Sequence, residues 1–406
     1  MRSDLVAHIS IDNLVHNFRS LREACRSHLV KLCAPLKADA YGHGLKIVAP
    51  ALHAAGADYG AVANLTEAIE LRAVGWVKPI LVLGNVLAVA DEKERRERID
   101  AVVEHDLTLT VVDEETVRHL REHNPPTGVR VHVKVDTGMG RMGVMPDRVG
   151  ELVRSIRVAR CLQFVGIYSH FATADMKQRE LARKQLSLFN HVLTAIRVNL
   201  PPGVIKHISN SAATIAMPDA HLDMVRPGLA LYGYYPASHM AELIYLKPVL
   251  RLTTHLASVK ELPVGHCVGY GQTFTTKRPT RIGIIPAGYF DGFIRMLSNN
   301  AVVGTPGGDA PVVGRVSMDQ FAVDLTDLPP MGVGTPVTLI DDKPGRPNSV
   351  AGIAKRMNTI PYEVTCLLGS RVERTPTTSL VGVHAPVTIP SSVNAPPVGG
   401  SARLVS

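Results

Sequence analysis

The sequence predicts an α/β protein, with an N-terminal (β/α)8 barrel of the TIM type followed by a mostly β C-terminal domain. Eight short apolar segments rich in β-branched residues alternate with helical patterns between residues 31 and 232. Strands that are apolar on both faces and joined by helices form parallel sheets, and eight such units favour a closed barrel over an open sheet. After about Pro236, short strands separated by Gly, Pro and Asp turns indicate the second domain.

The predicted barrel strands each end where glycine or polar residues begin. They cover residues 31–36, 59–63, 79–83, 107–112, 129–135, 164–169, 205–209 and 225–231, with an additional stub at 101–103. The helices between them have readable ends, because Asn64 and Glu67 form a capping box, Gly75 stops that helix, and Pro146 suits a first helical turn. Catalytic groups of such a barrel lie just after the strands.

The chain divides into three parts by this pattern. Residues 1–240 are predicted to form the barrel and residues 241–374 the mostly β domain, with strands at 250–260, 281–285, 310–316, 320–324 and 336–340 and a helix at 349–357. Residues 375–406 contain five prolines and one charged residue, Arg403, which predicts a disordered tail.

Composition narrows the class of protein. The chain has 406 residues, of which 46% are hydrophobic and 20% charged, as in ordinary globular proteins. Its five cysteines are scattered singly, so we expect neither a zinc site nor a disulfide framework, and no metal. No segment has the length and composition of a signal peptide or a membrane span, which predicts a cytoplasmic protein. The net charge of +8 is dispersed rather than clustered, so no nucleic-acid partner is expected.

Lys37 follows the first barrel strand, within the sequence LKADAYGHG at residues 36–44. Desolvation at the mouth of a barrel lowers the pKa of a lysine and favours a nucleophilic amine that can form a Schiff base. The alternative is a surface side chain that extends its ammonium group into water.

The loop after the fifth strand reads GMGRMG, from Gly138 to Gly143, and matches the glycine pattern of dinucleotide-binding proteins. The acidic residue that this motif requires about 20 residues later is missing, and a cationic Arg141 occupies the loop. The planar fork of Arg141 suits a carboxylate better.

Neighbouring strand ends supply more anion-binding or titratable groups. Lys134 lies at the end of the fifth strand, His170 at the end of the sixth, Ser211 at a helix start after the seventh, and Arg226 in the eighth. Each has an ordinary structural explanation, but together they describe a site for a phosphorylated aldehyde around Lys37. Pyridoxal phosphate fits, since it needs a lysine for the imine, a helix start for the phosphate and a group facing the ring nitrogen.

A series of motifs extends this pattern along residues 9–374. They are KADAYGHG at 37–44, KVDTGMGR at 134–141, SHFATAD at 169–175, SNSAA at 209–213, MVRPG at 224–228, GYG at 269–271, GYxDG at 288–292, SMDQ at 317–320 and PYEV at 361–364. The series resembles the bacterial alanine racemases, which are pyridoxal-phosphate enzymes with a barrel and a β domain.

The resemblance implies a site built by two protomers. Lys37 would hold the cofactor and act as acid and base on the D-specific side of the substrate, while Tyr270 of the partner subunit would act on the L-specific side. A head-to-tail homodimer follows. The resemblance also implies residues that bind the cofactor: Tyr41, Ser211, Gly228, Leu229 and Tyr362 at the phosphate, Arg226 with His207 at the pyridine nitrogen, and His170 behind Tyr270. At the substrate carboxylate it implies Arg141 and Met318, with Lys134 as a carbamylated partner of Arg141. Along the access corridor it implies Asp175, Tyr289, Arg295 and Arg315.

The function implied is interconversion of L- and D-alanine, which supplies D-alanine for peptidoglycan. A racemase of the same fold that acts on serine, lysine or many amino acids is the nearest alternative. A fold-related decarboxylase is a second one, although that family faces the pyridine nitrogen with a carboxylate where this chain has Arg226. A non-catalytic pyridoxal-phosphate carrier is a third, and the second domain with Tyr270 argues against it.

Overall fold

The structure, a computed structural model, describes residues 4–378 of the chain. Its strands are β1 (Val6–Ser10), β2 (Lys31–Pro35), β3 (Tyr59–Val62), β4 (Ile80–Val82), β5 (Thr108–Val111), β6 (Val129–Lys134), β7 (Leu162–Tyr168), β8 (Ile205–His207), β9 (Met224–Val225), β10 (Leu250–His255), β11 (Ser258–Leu262), β12 (Cys267–Val268), β13 (Phe274–Thr275), β14 (Thr280–Ile285), β15 (Val302–Thr305), β16 (Gly308–Val313), β17 (Phe321–Asp324), β18 (Pro336–Ile340) and β19 (Glu373–Thr377).

The helices lie mainly between the strands of the first half. They are α1 (Ile11–Ala24), α2 (Lys37–Tyr41), α3 (Leu45–Ala55), α4 (Leu65–Ala73), α5 (Glu92–Glu104), α6 (Glu114–His123), α7 (Val149–Val158), α8 (Glu180–Ala195), α9 (Ser211–Ala216), α10 (Val350–Arg356) and α11 (Pro361–Cys366). Short 3-10 helices include Pro146–Arg148, Leu229–Tyr232, Tyr270–Gln272, Tyr289–Asp291 and Arg295–Leu297. No helix of the described residues is long and apolar enough to cross a membrane.

The barrel predicted from the sequence is present. Strands β2 to β9 form one sheet of eight parallel strands in the order β8-β7-β6-β5-β4-β3-β2-β9. Its two edges meet, because the backbone N–H of Arg226 donates to the carbonyl of Ser209 at 2.9 Å and that of Asp223 to Lys206 at 3.0 Å. The side chains that follow these strands therefore share one mouth.

Two sequence expectations about the barrel are wrong. The last strand covers two residues rather than 225–231, because Pro227 lacks a backbone donor, and the chain turns into the 3-10 helix Leu229–Tyr232. The stub at 101–103 belongs to α5, whose N-cap Asp91 accepts a hydrogen bond from Glu94 N–H.

The second domain is built on a nine-stranded sheet in the order β11-β14-β17-β16-β15-β18-β10-β1-β19, with β12 and β13 as a separate hairpin. The predicted strand 250–260 is two strands, β10 and β11, which pair with different neighbours. The assignment of residues 1–240 to the barrel needs a correction at its start, since β1 pairs with β10 and β19 in this sheet.

The predicted disordered tail also begins too early, because β19 continues to Thr377 and pairs with β1 in parallel. The rest of that prediction, residues 379–406, lies outside the described residues.

The turn after Lys37 has an unusual backbone. Ala38, Asp39, Ala40 and Tyr41 all have positive φ, between 51° and 56°, so this short α2 segment is left-handed. Residues with a Cβ disfavour this conformation, and surrounding contacts must hold it. One such contact is the Asp39 carboxylate, which accepts the N–H of Leu45 at 2.6 Å. The turn fixes the direction in which Lys37 leaves β2.

Candidate active site

The mouth of the barrel collects the titratable residues that the sequence analysis placed after strands. Lys37 follows β2, Lys134 ends β6, His170 follows β7, His207 ends β8 and Arg226 follows β9. The carboxyl ends of parallel strands face the same way, so these side chains converge. Burial lowers the pKa of His170, and the nearby charges of Arg226, Lys134 and Lys37 lower it further, so these side chains lie close together.

Lys37 is a half-buried amine in a cationic surrounding. Burial lowers the pKa of Lys37, Arg141 lowers it further, and the carboxylate of Glu67 opposes the change. Glu67 also accepts backbone N–H groups from Ala38 at 2.8 Å and Ala63 at 2.7 Å, which ties α4 to the left-handed turn. An amine with a lowered pKa is more often unprotonated, as a nucleophile or a base must be.

Arg226 is buried, and both of its terminal nitrogens form hydrogen bonds. Its Nη2 donates to the carbonyl of Ser169 at 2.8 Å and lies 3.3 Å from Nδ1 of His170, while its Nη1 donates to Nδ1 of His207. A guanidinium stays protonated in proteins, so a permanent cation is fixed at the floor of the mouth. Burial lowers the pKa of His170 to about 3, and the neighbouring Arg226 adds to the effect.

Behind Arg226 lies a buried polar cluster that the sequence analysis missed in part. His132 Nδ1 lies 2.9 Å from His207 Nε2, and the ring of Tyr168 stacks on that of His207 at 4.8 Å. The signal for His132 was available, because it lies two residues before Lys134 on the same strand and therefore on the same face. Tyr168 could be placed at the end of the next strand, but nothing in the sequence indicates that its ring stacks on His207.

Lys134 is the second lysine of the mouth. Burial and the cations Arg141, Arg226 and Lys37 lower its pKa to about 8, and Asp136 opposes them. Asp136 itself turns back over the loop, where its carboxylate accepts the N–H groups of Gly138 at 2.8 Å and of Met139 at 2.9 Å. The loop that carries Arg141 is thereby held in place.

A compact cradle lies beside Lys37. A Cβ at Gly228 would lie 2.5 Å from the hydroxyl of Tyr41, so only glycine fits against that ring. The hydroxyl of Ser211, at the start of α9, accepts the N–H of Ala230, and Leu229 is buried behind them. The rings of Tyr41 and Tyr362 are 5.9 Å apart. Hydroxyl groups and backbone amides of this kind suit a phosphate group.

Of the residues predicted from the second domain, Tyr362 belongs to this cradle, whereas the others are on the surface. Tyr270 is 74% exposed on its 3-10 helix, and Met318, Tyr289 and Arg295 are exposed as well. Tyr270 and Arg315 line a cavity of about 440 Å³ on the second domain. Within residues 4–378, no hydrogen bond or ion pair between side chains joins Tyr270 to the barrel. Burial raises the pKa of Tyr362 to about 12, and the carboxylate of Asp175, a barrel residue, adds to the effect.

Family comparisons cover both domains. The family described as alanine racemase, N-terminal domain, matches residues 9–236, and the family described as alanine racemase, C-terminal domain, matches residues 249–376. Alanine racemase 2 of Caldanaerobacter subterraneus subsp. tengcongensis is 39% identical over 370 residues, which cover 90% of this chain and 93% of the relative. The alanine racemase of Halothermothrix orenii is 39% identical and covers 91% and 95%.

Solved structures give the same result. The alanine racemase of Clostridium difficile 630 superposes with a TM-score of 0.85 at 33% identity, over 93% of this chain and 97% of that one. The alanine racemase of the D-cycloserine-producing Streptomyces lavendulae superposes with a TM-score of 0.83 at 32% identity, over 93% and 98%.

Proposed function

Since the chain belongs to the alanine racemase family, we propose that it interconverts L-alanine and D-alanine with pyridoxal 5'-phosphate as cofactor. The observation that carries the proposal is the convergence of Lys37, Arg141 and Arg226 at the barrel mouth. It provides an amine with a lowered pKa, a cation for a carboxylate and a buried cation for a ring nitrogen.

The residues present fit this cofactor. Gly228 lets the hydroxyl of Tyr41 lie against the backbone, and Ser211 and Tyr362 supply further hydroxyl groups beside it. Arg226 would face the pyridine nitrogen and Lys37 would hold the aldehyde carbon. When bound, pyridoxal phosphate withdraws electrons from the substrate Cα and so acidifies its hydrogen.

The chain's own residues would carry the proton transfers. Racemisation requires one group on each face of the substrate Cα, one to remove a proton and the other to return one. Lys37 Nζ would serve the D-specific face. Tyr270 Oη would serve the L-specific face from the partner subunit of a head-to-tail homodimer, which the 74% exposure of Tyr270 supports.

Arg141 would hold the substrate carboxylate, together with the backbone of Met318 from the partner. An unmodified, protonated Lys134 would repel Arg141, whose charge lowers the pKa of Lys134 in addition to the effect of burial. We propose that the neutral Lys134 amine adds carbon dioxide, losing a proton and forming a carbamate whose negative charge orients Arg141. Asp175, Tyr289, Arg295 and Arg315 would line the access corridor, and the D-alanine formed would enter peptidoglycan synthesis in the cytoplasm.

The test measures turnover of alanine, serine and lysine side by side, with borohydride reduction and peptide mapping on the same sample. We expect alanine to react fastest and the label to lie on Lys37. Faster turnover of serine would indicate the broader racemase, release of carbon dioxide from basic amino acids would indicate a decarboxylase, and bound cofactor without racemisation would indicate a carrier. Label on any other lysine would refute the site.

A further inference from the structure

His132 is the last member of a buried hydrogen-bonded chain that begins at Arg226. Arg226 Nη1 donates to His207 Nδ1, and His207 Nε2 lies 2.9 Å from His132 Nδ1. Both histidines are completely buried, and Arg226 is 5% exposed. The three residues come from β6, the end of β8 and the residue after β9, so the chain crosses the inside of the barrel.

Arg226, the first residue of this hydrogen-bonded series, determines which atoms donate and which accept. A guanidinium has no acceptor, so His207 Nδ1 must accept and carries no hydrogen. A neutral His207 then carries its hydrogen on Nε2 and donates it to His132 Nδ1. His132 Nδ1 is therefore also an acceptor, and the hydrogen of the neutral His132 ring lies on Nε2. Burial lowers the pKa of His132 to about 3, and that of His207 well below its usual value, which keeps both rings neutral.

The surroundings hold both rings in this arrangement. Tyr168 stacks on His207 with an angle of 8° between the rings, and its hydroxyl lies 2.8 Å from Thr110 Oγ1, which donates to the carbonyl of Val82. The ring of His132 occupies space above Gly166, where a Cβ would come within 2.3 Å of it. The pairing of β6 with β7 shifts by one residue at this point.

The second nitrogen of His132 gives the decisive observation. His132 Nε2 is buried and has no hydrogen-bond partner among the described residues. A side chain kept only for packing would be apolar here, because a buried N–H without a partner is unfavourable. The presence of an imidazole at this position is explained by its other nitrogen, Nδ1, which accepts the hydrogen bond from His207 Nε2.

We propose that His132 is a positioning residue: it accepts the Nε2 hydrogen of His207 and so holds the His207 ring, and through it the Arg226 guanidinium, in place. The consequence for catalysis rests on the proposed function, in which Arg226 faces the pyridine nitrogen. The hydrogen-bonded chain itself does not depend on a bound cofactor.

The experiment compares His132→Asn with His132→Leu. The Asn side chain can place its carbonyl oxygen near the position of Nδ1 and preserve the acceptor, whereas Leu fills similar space without one. Histidine ring nitrogens are observed by 15N NMR of selectively labelled protein, with and without cofactor, and the His207 signals are assigned with His207→Gln. We expect one protonated and one unprotonated His207 nitrogen in all three proteins, because Arg226 fixes the tautomer. The resonance of the protonated nitrogen, which reports its hydrogen bond, should be alike in the wild type and in His132→Asn but shifted in His132→Leu.

Activity gives the second readout. We expect kcat to fall on the order of tenfold or more in His132→Leu with a smaller change in KM, and to recover largely in His132→Asn, as is typical of residues that orient a site group through a hydrogen bond. His221→Leu is the matched control, since His221 is equally buried but bonds to Thr214 and Arg26 elsewhere. This variant should alter stability without altering the His207 signals.

An unchanged resonance of the protonated His207 nitrogen in His132→Leu, or an unchanged kcat, would overturn the proposal. Should the Leu variant fail to fold, His132→Gln replaces it, because the Gln amide lies one bond further out, and equal behaviour of the Asn and Gln variants would then overturn the proposal. If the wild type does not racemise alanine, the proposed function fails, while the NMR comparison on cofactor-free protein still decides the role of His132.

Discussion

Arg374 of the last described strand lies 3.5 Å from the carboxylate of Asp39, in the left-handed turn that follows Lys37. The same guanidinium donates to the carbonyls of Gly42 at 3.1 Å, Leu368 at 3.0 Å and Val372 at 2.9 Å. It therefore joins the second domain to the strained backbone beside the candidate catalytic lysine. These contacts of Arg374 with Asp39 and Gly42 indicate that the second domain helps to hold Lys37 in its orientation.

Replacement of Arg374 by Met should destabilise the protein by about 2 kcal/mol, because several buried carbonyls lose a charged donor. It should also slow borohydride trapping of cofactor on Lys37. The free energy of unfolding is measured by urea denaturation. Arg278→Met is the control, since Arg278 forms an exposed pair with Asp327 and should show no measurable change. Equal effects of the two variants would contradict the role given to Arg374.

Asp136 should act on substrate binding through the loop of Arg141. Burial raises its pKa, but hydrogen bonds from Gly138, Gly140 and Met139 lower it overall, so the carboxylate is ionised near neutral pH. Asp136→Ala releases these amides, and we expect KM for alanine to rise about tenfold, with a smaller effect on kcat. Asp136→Asn retains an acceptor oxygen, so its KM for alanine should lie between those of the wild type and Asp136→Ala. A fall in kcat at constant KM would contradict this assignment.

The buried histidines predict a loss of stability in mild acid. Burial lowers the pKa of His132 to about 3 and that of His43 to about 4, from 6.5. Below pH 6.5 the unfolded chain binds protons that the folded protein does not. The contribution of these neutral histidines to the free energy of unfolding is therefore complete above that pH and is lost progressively down to about pH 4. Each such histidine lowers the free energy of unfolding by about 1.4 kcal/mol per pH unit in this window.

Urea denaturation at pH 7 and pH 5.5 measures this dependence. His132→Asn removes one of the titrating groups, so its free energy of unfolding should fall less steeply with decreasing pH than that of the wild type. Parallel slopes for the two proteins would show that His132 is not a buried neutral histidine.

Two inactive variants should restore each other if the site is shared. In a mixed dimer of Lys37→Ala and Tyr270→Ala protomers, one site contains both intact residues and the other contains neither. After random re-association half of the dimers are mixed, so racemisation should recover to about one quarter of the wild-type level. The measurement is activity before and after the variants are unfolded and refolded together, with each variant refolded alone as the control. No recovery would indicate that each protomer uses its own Tyr270.

Carbamylation of Lys134 makes a further prediction. Because its pKa is about 8, the neutral amine that reacts with carbon dioxide becomes more abundant as the pH rises from 6 to 8. A 13C carbamate signal should appear when the protein is equilibrated with labelled bicarbonate, and it should be absent in Lys134→Ala. A signal that survives in this variant would place the carbamate on another lysine.

The barrel strands could be predicted because their apolar runs are local properties of the chain. The last strand was extended too far, since the apolar residues of Leu229–Tyr232 continue beyond Pro227 and look the same in a 3-10 helix. Strand β1 was missed because its burial alternates over five residues and its partners lie more than 200 residues away.

The residues of the site also divide into those that could be predicted from the sequence and those that could not. Lys37 and Arg226 could be found because each is a charged residue beside an apolar strand. The contact of His132 with His207 joins residues 75 positions apart and depends on the closure of the barrel. The left-handed turn at Ala38–Tyr41 could not be anticipated, because none of its residues is glycine, the usual indicator of positive φ.

The position of β1 between β10 and β19 has a consequence for synthesis on the ribosome. β1 emerges first, but β10 is made about 240 residues later, which corresponds to roughly 10 to 50 seconds of translation. The barrel can therefore fold while β1 still lacks both neighbours, and its alternating polar residues help to keep it from pairing with another chain meanwhile. The second sheet is the last part of the nascent protein to close, so the segment that carries Tyr270 matures after the segment that carries Lys37.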